Sequence, residues 1–496
     1  EILARDDVML CHPELVRRAS QKQTAKPQQW HLRRTRINGV SINEHANVQS
    51  AWSLSEGEGM TIAIIDDGVD VNHEEFQTGG KIVAPRDVTQ RSNNAAPGPE
   101  DMHGTACAGV ACANGAHGAT GVAPRARLMP IRLTSGLGSQ AEADAFEWAA
   151  THGADVISCS WGPPDGEWWN DDDPQHEVVA PLPDSTRLAI DYAVNHGRNG
   201  KGCVITWAAG NGNESVTNDH YASYDKVIAV GACNDEGKRS AYSDIGSSLW
   251  CCFPSGDPDS TRTPGIWTTD NSGLFGYNDG NTDEGDAAGN YTNSFSGTSS
   301  SCPGVAGVCA LVLARNPDLT WDQVRDILRQ SADHIDARRG EYDADGHSLN
   351  YGYGRLNALH AVELASPATT NRRSVLHRTN RNVRIRDRRT ARLGVRVSDT
   401  ESLKDIMIHV DIEHTWIGDL RVRLRSPSSL RVRPIVLHNR TGREKDNIRR
   451  SYTVADIPAL AAFIGQPATG RWRLEVYDAQ RGDKGRIVSF GIEIIL

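Results

Sequence analysis

Ile62-Ala63-Ile64-Ile65-Asp66-Asp67-Gly68 is a run of four apolar residues ending on two aspartates and a glycine. It reads as a buried parallel strand meeting a turn. Two further segments give it chemical meaning: His103-Gly104-Thr105, and Ser296-Gly297-Thr298-Ser299-Ser300-Ser301-Cys302-Pro303. Together they offer an acid, a base and a nucleophile in the order Asp, His, Ser. A hydroxyl is a poor nucleophile at neutral pH. It needs an imidazole to take its proton and a carboxylate to orient that imidazole. Asp66, His103 and Ser299 are the candidates for those roles. Taken singly the segments are commonplace. Their order is informative, because unrelated folds reach the same chemistry with different orders.

Outward from these segments, strand-like and helix-like stretches alternate. Residues 62–65, 128–133, 155–158, 204–207 and 227–230 are short apolar runs suited to buried parallel strands. Residues 105–112, 141–152, 185–196, 303–315 and 320–332 suit helices, the last with Thr320 as its N-cap. This predicts an α/β fold with a doubly wound, mostly parallel sheet, whose site gathers at the carboxyl ends of the strands. Asp66, Ser160 and Asn211 fall just beyond predicted strands. The expected organisation is an N-terminal extension over 1–26, a first domain over 27–366, an arginine-rich linker over 367–390 and an all-β domain over 391–496. The last rests on period-two alternation in 406–412, 420–424, 431–437, 472–476 and 487–494.

The formal net charge of -10 argues against nucleic acid as the main partner. No apolar run approaches ~20 residues, so no membrane span is expected. The first residue, Glu1, implies a processed or trimmed chain, so the absence of a signal peptide says nothing about export. Of the ten cysteines, Cys107, Cys159, Cys203, Cys302 and Cys309 sit among apolar or small residues and read as buried hydrophobes. Few or no disulfides are expected. The compartment stays open, with an exported or periplasmic setting favoured over the cytoplasm.

The three opening segments resemble those of the subtilisin-like serine proteases. Trp207-Ala208-Ala209-Gly210-Asn211-Gly212 resembles the stretch that carries that family's oxyanion-hole asparagine, a role the resemblance gives to Asn211. Losing such a donor costs ~10²–10³ in rate, as in subtilisin. Ile412-Glu413-His414-Thr415-Trp416-Ile417-Gly418-Asp419-Leu420 and Gly470-Arg471-Trp472-Arg473-Leu474-Glu475-Val476 resemble the P domain of kexin and furin, implying a jelly-roll-like second domain. The kexin and furin branch cuts after basic residues. By resemblance, Asp67 faces the residue before the basic P1 side chain, Asp165 in Ser160-Trp161-Gly162-Pro163-Pro164-Asp165 lines the primary pocket, and Asp219 lies at its floor. Either Glu100 or Asp101 serves the second subsite. A buried guanidinium keeps its proton and needs a carboxylate partner.

The same resemblance implies calcium as cofactor. Gln23, Glu75 and Asn114, the last in Ala113-Asn114-Gly115-Ala116-His117-Gly118-Ala119, match one site. Asp165, Glu214 and Asp244 suggest a second, since three acids near one pocket repel each other without a cation. Asp171-Asp172-Asp173 lies in an inserted loop that binds calcium, covers the cleft or is merely solvated. Residues 1–18 are read as the tail of a pro-segment, with Arg18–Ala19 as a self-cleavage site. Arg372-Arg373 and Arg388-Arg389 would be self-cleaved unless shielded. The leading reading is a monomeric, calcium-dependent serine endopeptidase acting on peptides or proteins with a basic P1. The alternatives are a broad-specificity protease and a catalytically silent binding protein.

Overall fold

Thr61–Asp66 is a strand with all six residues buried, because parallel neighbours flank it on both sides: Arg127–Arg132 on one and Val156–Cys159 on the other. The structure is a computed structural model that describes residues 24–134, 138–258, 265–366, 374–442, 445–454 and 456–495. It divides into two units, Glu1–Pro367 and Ala368–Leu496.

In the first unit nine of the described strands form one sheet, and Thr35–Ile37 with Val40–Ile42 and Ile266–Thr269 with Tyr291–Phe295 form two small ones. The order of the nine is Ala332–Asp333, Arg355–Leu356, Leu249–Pro254, Ile228–Cys233, Val204–Ala208, Val156–Cys159, Thr61–Asp66, Arg127–Arg132 and Arg86–Asp87. Only the first pairing is antiparallel. After Thr61–Asp66 the chain adds Arg127–Arg132 on one side and then Val156–Cys159 on the other. That reversal opens a crevice at the carboxyl ends. Trp161 braces the strand end there, its indole N–H donating to the Ile65 carbonyl at 2.9 Å.

Two helices bring the remaining groups to this crevice and pack on each other. His103–Cys112 is buried after its first residue, and Thr298–Arg315 runs through the core. Glycines allow the close approaches. A Cβ on Gly109 would lie 2.1 Å from Thr269 Oγ1 and 2.3 Å from Thr268 Oγ1, and one on Gly304 would lie 2.4 Å from the Phe253 ring. Thr320 heads the helix Trp321–Ser331 through a capping box with Gln323.

The second unit is two antiparallel sheets. One orders Ser374–Thr379, Gly485–Ile495, Asp405–His414 and Ile448–Tyr452, with Val383–Ile385 also on Gly485–Ile495. The other orders Thr390–Val397, Gly470–Asp478, Leu420–Arg425 and Ile435–Asn439. Strict alternation along Asp405–His414 sends Ile406, Ile408, Val410 and Ile412 into the core between them. The expected linker is corrected here: from Ser374 onward it forms strands of this unit. Arginines at 378, 384 and 386 occupy outward positions and hide the alternation. Arg388 and Arg389 lie in a turn tied by the Arg388 N–H to the Asp478 carbonyl at 2.9 Å. Arg372, Arg373 and the Arg18–Ala19 bond lie outside the described residues. Nine cysteines are described, all buried and unpaired. Among the described residues no helix is long and apolar enough to cross a membrane.

Candidate active site

Asp66 ends its strand and is buried, and its Oδ1 lies 2.8 Å from His103 Nδ1. His103 opens its helix, with the Phe295 ring edge-on at 5.4 Å. Burial alone would lower the His103 pKa. The Asp66 carboxylate, then Cys107, outweigh it and hold the imidazole well above its ordinary value. Asp67 accepts the Met102 and His103 N–H groups on Oδ2 at 3.1 and 3.0 Å and the Gly104 N–H on Oδ1 at 2.7 Å. It therefore caps the His103 helix, where a negative charge meets orphaned N–H groups. Burial, then the Asp66 charge, raises its carboxyl to about 6.

Ser299 is the second residue of its helix. Pro303 sits four residues on and has no N–H, so the usual helical bond to the Ser299 carbonyl is missing. That carbonyl instead accepts from Ser160 Oγ at 3.1 Å and from Cys107 Sγ at 3.6 Å, tying the serine to the Val156–Cys159 strand end and to the His103 helix. Ser299 Oγ donates to the Ser160 carbonyl at 3.4 Å, and among the described residues no hydrogen bond joins it to the His103 ring. Such bonds are commonly long before substrate arrives. Asn211 is oriented from its oxygen: Oδ1 accepts from the Thr298 N–H at 2.8 Å and the Thr298 hydroxyl at 3.1 Å. An N–H can only donate, so the amide flip is settled and Nδ2 is the outward donor.

The acids form two groups. Asp165 accepts the Asn211 N–H at 2.7 Å, Asp244 accepts the Gly212 and Glu214 N–H groups at 2.9 and 3.1 Å, and Glu214 accepts from the Gly166 N–H at 3.0 Å. Ligand oxygens of Asp165, Glu214 and Asp244 lie within 4.8 Å of one another. Burial, then the Asp165 charge, pushes Asp244 well above the usual carboxylate range, and burial also raises Asp165. A Cβ on Gly210 would lie 2.2 Å from Asp244 Oδ2, so only glycine leaves this hollow open. Three repelling carboxylates around a cradle fit a hard cation with oxygen ligands. Asp219 is buried beside Gly162, accepts the Tyr221 N–H at 2.7 Å, and is pushed up to about 7, chiefly by burial.

Residues 57–354 match the subtilase family and residues 403–494 the proprotein convertase P-domain. The chain is 59% identical to the "Calcium-dependent protease" of Trichormus variabilis over 99% of its own length and 74% of that protein's. The chain belongs to the subtilase family. This subtilase is a serine protease with a C-terminal P domain. It is also 28% identical to human "Proprotein convertase subtilisin/kexin type 5", over 91% of this chain and 24% of that one. The crystal structure of the serine protease of Aeromonas sobria shares its fold, with a TM-score of 0.60 at 22% identity, covering 96% of this chain and 97% of that one.

Several of the residues expected in the subtilase's site have partners within the chain. Asp101 Oδ2 pairs with Arg132, whose Nη2 lies 2.6 Å away, and Glu100 is exposed. Both Asp67 oxygens accept helix N–H groups. The Asn114 N–H donates to the Glu75 carbonyl at 3.2 Å, and Gln23 lies outside the described residues. Asp173 caps the turn Pro174–Glu177, accepting the Gln175 and Glu167 N–H groups. That turn places His176 Nδ1 2.7 Å from Glu214 Oε2. His176 and Glu142 escaped the sequence reading. Glu142 lines a cavity of about 520 Å³ with Trp161, Gly162 and Tyr221, and accepts from the Thr186 hydroxyl at 2.6 Å. On its helix it reads as one more solvated acid, and only packing reveals it.

Proposed function

We propose that this subtilase is a calcium-dependent endopeptidase that cleaves on the carboxyl side of Arg or Lys. The observation that carries the specificity is Asp219: a buried carboxylate beside Gly162, with no cationic partner among the described residues and with the Asp165 charge adding to the cost of its own. A P1 guanidinium or ammonium supplies the missing charge, and an apolar side chain leaves it uncompensated. Asp165 links this pocket to the Asn211 loop, so P1 binding and oxyanion stabilisation share one rigid element.

In this reading Ser299 Oγ attacks the scissile carbonyl and His103 Nε2 takes its proton, while Asp66 keeps Nδ1 protonated and facing it. The oxyanion meets Asn211 Nδ2. His103 then returns the proton to the leaving amine, and water repeats the sequence on the acyl-enzyme. Asp165, Glu214 and Asp244 would hold calcium, whose charge relieves their repulsion and fixes the pocket wall. The 59% identical relative named a calcium-dependent protease supports this. Glu100 or Asp101 is the acid for a second basic residue. An exported setting is in keeping with the convertase relatives.

The test is cleavage of matched peptides with Arg, Lys or Ala at P1, with calcium and with chelator, by the native chain and by Ser299→Ala. Turnover of Arg and Lys peptides by the native chain in calcium alone is expected. Equal rates on Ala and Arg would leave a broad-specificity protease, and no turnover would leave a binding protein.

A further inference from the structure

The 113–119 loop matches, by resemblance, a calcium site built with Glu75, but the described residues do not fit the ion. Calcium needs carboxylate and carbonyl oxygens turned towards it. Glu75 is fully buried, and the loop turns amide hydrogens to it instead. Ala116 donates to Oε2 at 3.1 Å, while His117 and Ala119 donate to Oε1 at 3.0 and 2.9 Å. The Tyr291 hydroxyl adds a contact at 3.4 Å. Asn114 Oδ1 accepts the Ala116 N–H and its Nδ2 donates to Thr78 Oγ1, each at 2.8 Å.

The cation is already present nearby. Lys81 is buried, and its ammonium donates to the carbonyls of Cys112, of Pro124 at 3.0 Å and of Ala126 at 2.7 Å. Three convergent backbone oxygens are a ligand set that would suit a metal; here the three protons of an ammonium fill it. Burial lowers the Lys81 pKa, and Cys112 and then Glu75 act the other way and favour its charge. The adjoining cavity, about 830 Å³, is lined among the described residues by the cations Lys26, Lys81, Arg125 and Arg127 and by no carboxylate, with Arg125 paired to Glu56 and Glu58.

We propose that the Lys81 ammonium is a built-in replacement for calcium beside the 113–119 loop, so that calcium acts on this subtilase through Asp165, Glu214 and Asp244 and not through Glu75. The second half rests on the calcium reading above. The test is calcium stoichiometry by titration calorimetry, and thermal unfolding in calcium and in chelator, on the full chain carrying Ser299→Ala to prevent self-digestion. Adding Glu75→Gln should leave the number of bound ions unchanged, and adding Asp244→Asn should remove one. Adding Lys81→Met should lower Tm by the same amount in calcium and in chelator. Loss of an ion with Glu75→Gln, or an unchanged Tm with Lys81→Met, overturns the Lys81 assignment. Retention of every ion with Asp244→Asn overturns the acid-set reading alone. Should Lys81→Met fail to fold, the Glu75→Gln stoichiometry decides.

Discussion

At the residue scale, Asp219 has the most consequential environment. Burial pushes its carboxyl up to about 7, so in the free enzyme it gains a proton as pH falls through neutrality. A protonated acid is no partner for a guanidinium. KM for an Arg-P1 peptide is therefore expected to rise as pH drops from 8 to 6, while KM for an Ala-P1 peptide stays flat. Asp219→Asn should remove that pH dependence and most of the Arg preference. The check is the pH profile of KM for the two peptides with both proteins. An Asp219→Asn profile parallel to the native one would show that the charge lies elsewhere.

At the element scale, the site depends on where two helices begin. Asp67 caps the His103 helix, and Pro303 frees the Ser299 carbonyl to be held from two neighbouring elements. The His103 helix is seated by Gly109 against the strand Ile266–Thr269. Gly109→Ala would drive a methyl into two threonine hydroxyls, at an expected cost of about 1–3 kcal/mol. Because the strain pushes the helix as a body, kcat should fall along with the urea midpoint. Unfolding curves and steady-state rates on the same preparation check this, and unchanged stability would mean that the contact relaxes freely.

At the scale of the whole molecule, the net charge of -10 conceals an imbalance. Residues 1–373 carry 29 Lys and Arg against 49 Asp and Glu, and residues 374–496 carry 24 against 14. An acidic surface of this size favours the approach of cations. Calcium bound only by the folded chain stabilises it by mass action, about 2.7 kcal/mol at a hundredfold excess over Kd. Chelation is therefore expected to lower Tm, and restored calcium to recover it; a Tm indifferent to chelator would count against a folded-state site.

The sequence by itself determined the reaction chemistry and the strand–helix alternation, because the motifs around Asp66, His103, Asn211 and Ser299 are contiguous and each residue type answers a chemical need. It also revealed the acids at 165, 214 and 244. Only the tertiary structure decided how other acids are used: Asp101 pairs with Arg132, Asp67 accepts from helix N–H groups and Glu75 from a loop of amides. It likewise turned the arginine-laden stretch after Ser374 into strands and closed three carbonyls around Lys81. The physical reason is common to all of these. Their partners are backbone atoms or distant side chains, and which way a backbone group points is settled by packing, not by residue type.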